Sequence, residues 1–226
     1  MSQYLDNIKT TFSQNSNSEN AFYMKKYMKN KFDYYGIKSP LRKEISKQYL
    51  KKENLPPINE FEKVIKELWN EPQRELQYFA MELLFKYSKQ LEQEQYLIFE
   101  HLLTNKSWWD TIDYIAANLV GNHFKKYPQL TSTVGKRWIE SDNMWLNRTA
   151  ILFQLKYKQA TDEKLLSEYI LIHASSKEFF IRKAIGWALR EYSKTNSQSV
   201  IMFVHKYDKV LSGLSKREAL KVVSKI

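Results

Sequence analysis

The tetrapeptide Arg148-Thr149-Ala150-Ile151 decides the fold, because related segments recur at a nearly fixed interval along the chain. Their equivalent alanines are Ala80, Ala116, Ala184 and Ala219, and successive alanines of the full set are 36, 34, 34 and 35 residues apart. A period of this length holds two helices with their turns. Such units must stack to bury their apolar faces, so we predict an all-α helical-repeat solenoid.

Composition agrees with helices throughout the chain. Glycine and proline number only five each, and no run of alternating valine, isoleucine and threonine suggests a strand. Working outward from the tetrapeptide, we predict helices over 3–14, 19–33, 39–52, 59–70, 72–88, 92–104, 107–120, 127–139, 143–157, 162–173, 177–194, 197–206 and 215–225.

Several classes of site are excluded or not expected. Cysteine is absent from the 226 residues, which excludes disulfides, thiolate metal sites and cysteine nucleophiles. The four histidines are scattered and form no HExxH pattern, so we expect no metal and no cofactor. The N-terminus lacks a signal-peptide pattern, and no apolar run approaches the length of a membrane span. We therefore expect a soluble, cytoplasmic protein.

The charge indicates a polyanionic partner. The formal net charge is +11, for which nucleic acid is the first candidate and an indifferent basic surface is the alternative. Cations recur two residues before or six residues after the repeat alanines, at Arg148, Arg182, Arg217, Lys86, Lys156 and Arg190. In stacked repeats they would form either a basic stripe along a phosphate backbone or a row of solvated side chains.

The stretch Lys106-Ser107-Trp108-Trp109-Asp110-Thr111-Ile112-Asp113-Tyr114 is the candidate for chemistry. Ser107 is a plausible N-cap, which would put Trp109 and Asp113 one turn apart on one helix face. An aromatic face beside a carboxylate suits a carbocation-like species, but core packing with a capping aspartate is the ordinary alternative. Asp113 is then either an ion-pair partner of a neighbouring arginine or a functional carboxylate.

Blocks of the chain resemble the AlkD-type DNA glycosylases. The N-terminal blocks are Tyr27-Met28-Lys29-Asn30-Lys31-Phe32, Gly36-Ile37 and Pro40-Leu41-Arg42. The central blocks are Lys106 to Asp110 with Asp113, Ser141-Asp142-Asn143 with Trp145-Leu146 and Arg148, and Ile151 to Lys158. The last blocks are Ser175 to Phe180, Lys183 to Trp187, Leu189 to Tyr192 and Leu214 to Ala219. The resemblance covers nearly the whole chain, although Lys43 stands where the family commonly has a second arginine.

The resemblance implies a single domain over 1–226, a curved solenoid of HEAT-like repeats with a basic concave face that binds duplex DNA as a monomer near the nucleoid. It implies excision of N3- and N7-alkylpurines, such as 3-methyladenine and 7-methylguanine, without base flipping. The implied catalytic residues are Trp109, Asp113 and Trp187. The resemblance also implies that Tyr27 and Arg148 help hold the DNA at the catalytic cleft, with Lys156 and Arg190 as weaker candidates for backbone contact. We predict Arg42 and Arg182 as further DNA-binding residues.

Chemistry is consistent with this implied activity. A purine alkylated at N3 or N7 is cationic and leaves readily, so a strong general acid is unnecessary, and no histidine lies near the motif. A lyase would need an amine nucleophile of depressed pKa, which no lysine's context suggests. A non-catalytic repeat scaffold for nucleic acid or protein is the competing class, because a fold does not fix a function.

Overall fold

The computed structural model describes residues 3–223. Helices α1–α5 span Gln3–Gln14, Ser18–Tyr27, Ser39–Ser46, Phe61–Asn70 and Arg74–Tyr87. Helices α6–α10 span Tyr96–Thr104, Trp109–Tyr114, Gly121–Lys126, Lys136–Ile139 and Met144–Leu152. Helices α11–α14 span Glu163–Ile172, Phe179–Ser193, Ser197–Lys206 and Gly213–Leu220. Two π-helical segments, Ile115–Val120 and Thr131–Gly135, join α7 to α8 and precede α9.

The all-α prediction is confirmed. Within residues 3–223 the structure has no β-strand, and the one β-type pairing there is an isolated bridge between Asp33 and Gln73. Short 3-10 turns lie at Lys52–Asn54, Gln93–Gln95 and Lys158–Ala160. No helix in the described part of the chain has the length and apolar character that crossing a membrane requires.

The repeat alanines are all buried, as their spacing predicts. Ala80, Ala116, Ala184 and Ala219 have no exposed surface, and Ala150 is 2% exposed. A methyl group at each of these places leaves room for a neighbouring helix, so the recurring alanine marks where helices pack. The helical pairs agree with a helical-repeat solenoid.

The backbone divides into two compact units, Met1–Leu91 and Glu92–Ile226, called unit 1 and unit 2 below. Unit 1 holds α1–α5, and unit 2 holds α6–α14. The single repeat domain over 1–226 stays a prediction.

Several predicted helices end early or change type. The helix predicted over 19–33 ends at Tyr27, because Lys29 and Asn30 adopt left-handed φ angles of 57° and 56°. The helix predicted over 107–120 begins at Trp109 and passes into the π-helical segment after Tyr114. The last predicted helix begins earlier, at Gly213, and its predicted end lies outside the described residues.

Buried polar groups hold a loop of unit 1 in place. The fully buried carboxylate of Glu75 accepts hydrogen bonds from the backbone N–H groups of Tyr35, Gly36 and Ile37 at 3.1, 2.9 and 3.1 Å. Gly36 has a φ of +87°, and a Cβ atom there would lie 2.0 Å from the Asn17 carbonyl oxygen. Only glycine fits this turn, and Glu75 satisfies its donors.

Helix α14 packs closely on α12 in unit 2. A Cβ atom at Gly186 would lie 2.5 Å from Glu218 Cβ and 2.8 Å from the Ser215 carbonyl oxygen. Ser215 Oγ donates to the Arg182 carbonyl oxygen at 3.0 Å. Glycine at position 186 therefore permits the close approach of α12 and α14. This contact places Glu218 of α14 beside position 186 of α12.

Candidate active site

The segment before α7 differs from the predicted cap. Ser107 Oγ donates to the Leu103 carbonyl oxygen at 2.6 Å, so this hydroxyl satisfies the end of α6 instead of the start of α7. Trp108, in extended backbone conformation, occupies the N-cap position. The prediction of Ser107 as N-cap is therefore wrong, because a free carbonyl at the end of the preceding helix takes its hydroxyl.

Trp109 and Asp113 nevertheless lie on one helix, as predicted. They are the first and fifth residues of α7, and Asp110 lies in its first turn, where a negative charge suits the helix dipole. Residues four apart on a helix share a face. Both side chains are half-buried, so each keeps surface that a bound molecule can contact.

Asp113 forms a two-pronged ion pair with Arg148. Arg148 Nε donates to Asp113 Oδ1 at 2.7 Å, and Arg148 Nη2 donates to Asp113 Oδ2 at 2.9 Å. The remaining terminal nitrogen, Nη1, donates to the carbonyl oxygen of Phe180. One arginine on α10 thus joins α7 to α12 and holds both carboxylate oxygens. The predicted ion pair of Asp113 is confirmed. The pair does not occupy the whole carboxylate surface, so the second interpretation, a functional carboxylate, stays a prediction.

Burial sets the electrostatics of this pair. The Arg148 side chain is 5% exposed and the Asp113 side chain is 17% exposed. Burial raises the pKa of the Asp113 carboxyl above its ordinary value, and the hydrogen bonds and charge of Arg148 oppose that rise. The carboxylate therefore keeps a small accessible surface in a poorly hydrated setting.

An aromatic cluster lies beside the pair and was not predicted. Trp108 meets Trp145 and Phe180 edge-on, with ring centroids 5.7 and 5.1 Å apart, and the rings of Trp145 and Phe180 are 5.1 Å apart. Arg148 Cζ lies 5.9 Å from the Phe180 ring centroid. Trp145 and Phe180 are each the second residue of a helix, α10 and α12 respectively. That shared position is the signal that sequence reasoning overlooked.

Trp187 lies on the helix that supplies the Phe180 carbonyl. It is half-buried on α12, seven residues after Phe180. Seven residues are about two helical turns, so the two side chains project from the same side of α12, roughly 10 Å apart along its axis. The catalytic role of Trp187 stays a prediction.

The predicted DNA-binding cations of unit 2 have different surroundings. Lys156 is exposed, and its Nζ donates to Asn118 Oδ1 at 2.6 Å. Arg182 Nε donates to the Ser176 carbonyl oxygen at 2.7 Å. Arg190 forms an ion pair with Glu218. Arg148 is buried against Asp113, as described above. The structure tests none of these four as DNA contacts, and all stay predictions.

Two predicted DNA-binding residues belong to unit 1. Tyr27 is the last residue of α2 and is 70% exposed. Arg42 is buried instead, with Nη1 3.1 Å from a Glu82 carboxylate oxygen and its guanidinium 4.8 Å from the Tyr78 ring centroid. Tyr27 is thus available to a ligand in a way that Arg42 is not, and both assignments stay predictions.

No metal centre is evident in the described part of the chain. Within residues 3–223, no three His, Cys, Asp or Glu side chains come together in a way that would hold a metal ion.

Comparison with known protein families identifies the family of the chain. The family model for DNA alkylation repair enzymes matches residues 8–223. The chain belongs to this DNA alkylation repair family. Its membership gives the chain a role in the repair of alkylated DNA.

A solved structure supports the same kinship. The chain is similar to a protein from Enterococcus faecalis described as a predicted DNA alkylation repair enzyme, with 34% identity and a TM-score of 0.86. The match covers 93% of this chain and 98% of the other. A comparison with curated proteins gave no match. The DNA alkylation repair family thus accounts for the fold as well as the sequence.

Proposed function

We propose that the protein is a monofunctional DNA glycosylase of the AlkD type, which removes cationic N3- and N7-alkylpurines from duplex DNA. The observation that carries the proposal is the Asp113 carboxylate, which Arg148 grips on both oxygens while part of its surface stays accessible. Family membership and the sequence blocks that resemble AlkD-type enzymes support it further. The substrates are 3-methyladenine and 7-methylguanine.

The reaction needs stabilisation of positive charge more than it needs an acid. Alkylation at N3 or N7 makes the purine cationic, so the electron pair of the breaking N-glycosidic bond neutralises the departing base. Positive charge then develops on the deoxyribose, as it does in glycoside hydrolysis. A carboxylate beside the sugar stabilises this oxocarbenium-like state, and water adds at C1′ with loss of a proton. Asp113 performs this electrostatic role and orients the water.

Arg148 acts in this proposal as a positioning residue. Its guanidinium fixes both oxygens of Asp113, and its third contact ties the pair to the backbone at Phe180. Planar two-pronged contacts of this kind give strong orientation. The sequence suggests a phosphate contact for Arg148 instead, and the burial of its side chain favours the positioning role.

Trp109 and Trp187 supply the aromatic part of the site. A ring face attracts developing positive charge, by about 0.5–2 kcal/mol for each ring. We propose that both rings pack on the sugar and backbone at the lesion, so the base need not enter a pocket, in contrast to most enzymes that act on bases. Tyr27, Lys156, Arg182 and Arg190 hold the DNA through contacts that do not read sequence.

The test is single-turnover release of 7-methylguanine from a duplex oligonucleotide, with wild type beside Asp113→Asn. Asparagine keeps the size of the side chain and removes its charge, so we expect release to slow by about 10²–10³-fold while DNA binding changes little. Thermal unfolding of both proteins provides the folding control. Equal rates would exclude a role for Asp113. If neither protein releases base but both bind duplex with steep salt dependence, the protein is a DNA-binding scaffold instead.

A further inference from the structure

Glu218 bridges two cations of the neighbouring helix α12. Glu218 Oε1 accepts from Lys183 Nζ at 2.8 Å, and Glu218 Oε2 accepts from Arg190 Nη1. The three side chains are 16%, 37% and 24% exposed, for Glu218, Lys183 and Arg190 respectively. These contacts, the Lys183 hydrogen bond first, lower the pKa of the Glu218 carboxyl, so the group is ionised at neutral pH.

The two cations lie on the same stripe of α12 as Trp187. Lys183, Trp187 and Arg190 are residues i, i+4 and i+7, which project from one face of a helix. The ammonium and the guanidinium therefore flank the indole along the helix axis, and Glu218 forms an ion pair with each of them, which offsets one of the two positive charges. A phosphodiester that approached Trp187 would meet a site already occupied by a carboxylate.

The backbone holds Glu218 at this place. The absence of a side chain at Gly186 brings α14 against α12 directly at Glu218, and the Ser215 hydroxyl fastens the start of α14 to the Arg182 carbonyl. The carboxylate and the two cations can therefore separate only by rotation of their side chains, while the backbone of Glu218 stays in place. A phosphate must therefore displace the carboxylate from its partners, and it is repelled by the carboxylate while it does so.

We propose that Lys183 and Arg190 form a phosphodiester-binding site flanking Trp187, and that Glu218 determines specificity by weakening the binding of undamaged duplex there. Exchange of a carboxylate for a phosphate on the same donors gains little, because both anions match the same ammonium and guanidinium groups. The site adds affinity only where other contacts already hold the backbone against Trp187. This inference rests on the DNA binding in the proposed function and does not require the base-release chemistry.

The experiment compares Glu218→Gln with the matched control Glu163→Gln, using an undamaged duplex and fluorescence anisotropy between 50 and 200 mM salt. Both variants lose one negative charge, but Glu163 accepts from the hydroxyls of Tyr192 and Ser199 and releases no cation. At the lower salt concentration we expect Glu218→Gln to bind the duplex about fivefold more tightly than wild type does, and Glu163→Gln to bind it with wild-type affinity. The plot of log affinity against log salt for Glu218→Gln steepens by about one to two, as one or two phosphate contacts are gained.

Removing the cations tests whether they are the source of the gain. Adding Lys183→Gln and Arg190→Gln to Glu218→Gln is expected to abolish both the extra affinity and the extra slope. A gain that persists in the triple variant, or a Glu218→Gln protein that behaves like Glu163→Gln, overturns the proposal. Thermal unfolding of each variant shows which proteins are folded at the assay temperature.

Lys183→Gln alone keeps the proposal testable if Glu218→Gln does not fold. The first substrate is a 7-methylguanine duplex whose 2′-fluorine slows base release, and on it we expect Lys183→Gln to lower the slope of log affinity against log salt by about one. On undamaged duplex we expect the slope of Lys183→Gln to equal that of wild type. Equal changes on both duplexes overturn the specificity role. Base release by wild type separates the two hypotheses: failure to release base refutes the glycosylase alone, whereas unchanged binding by Glu218→Gln refutes only the role of Glu218.

Discussion

Two carboxylates, the fully buried Glu75 in unit 1 and the half-buried Asp113 in unit 2, use different partners. Three backbone N–H groups donate to Glu75, whose surface is entirely buried. Asp113 pairs with one arginine side chain and keeps 17% of its own side chain exposed. Burial raises the pKa of both groups above their ordinary values. The difference teaches that a raised pKa alone does not separate a structural carboxylate from a candidate functional one, and that accessibility to a ligand is what distinguishes Asp113 here.

The largest expected effect is on the stability of unit 2. Arg148→Met leaves the Asp113 charge buried without its partner, which costs about 3 kcal/mol in the free energy of unfolding. Urea denaturation of wild type and variant at pH 7 measures this loss. Adding Asp113→Asn is expected to restore part of it, because the unpaired charge is then gone. A loss that Asp113→Asn does not relieve would mean that Arg148 stabilises unit 2 through packing alone.

The next effect distinguishes the two carboxylates directly. In Glu75→Gln, an amide nitrogen in place of Oε2 would face the Tyr35 N–H donor, so we expect a loss of about 1–3 kcal/mol in the free energy of unfolding. Release of 7-methylguanine per folded molecule should stay at the wild-type rate. If Glu75→Gln slowed release as Asp113→Asn does, without loss of stability, Glu75 would belong to the catalytic machinery. The distinction between a structural Glu75 and a functional Asp113 would then be wrong.

The smallest expected effect is a displacement of the pH profile. The proposed role needs ionised Asp113, so the rate of base release falls as pH drops through the pKa of this carboxyl. An ordinary aspartate has a pKa of about 3.9. Because burial raises the pKa of Asp113 above this value, the fall in rate begins at a higher pH than it would for an ordinary aspartate. Weakening the opposing contacts by Arg148→Lys is expected to move the fall to still higher pH.

A pH series of single-turnover rates, corrected for spontaneous release, measures this displacement. Asp113→Asn is the control and should show no acid limb of its own. If the acid limb persists in Asp113→Asn, another group is responsible for the titration. The pH profile would then give no support to a functional role of Asp113.

The sequence is a good guide to features that depend on helical period. The five repeat alanines are buried, and Trp109 and Asp113 share α7, because spacing along one helix dictates which residues share a face. These inferences need no knowledge of which helices pack together. The all-α class follows from the same reasoning.

Features that depend on a distant partner could not be predicted. Glu75 and its loop donors are about 40 residues apart, and nothing in the local pattern relates them. Arg148 and Arg182 hold equivalent places before their alanines, yet one donates to a carboxylate and the other to a carbonyl. Ser107 is a suitable cap by type, but a nearby helix end takes its hydroxyl. Periodicity indicates a face and leaves the partner across it undetermined.

The π-helical segment Ile115–Val120, two residues beyond Asp113, has a consequence for the tolerance of the site to changes in chain length. Its wider turn accommodates a surplus residue between α7 and α8. Deleting one residue there would let α-helical bonding continue and would leave the Trp109–Asp113 face nearly in phase with Gly121–Lys126, because the wider turn already absorbs the extra residue. The site therefore tolerates the loss of one residue in this segment better than the loss of one residue within an α-helical turn, which would rotate the face by about 100°.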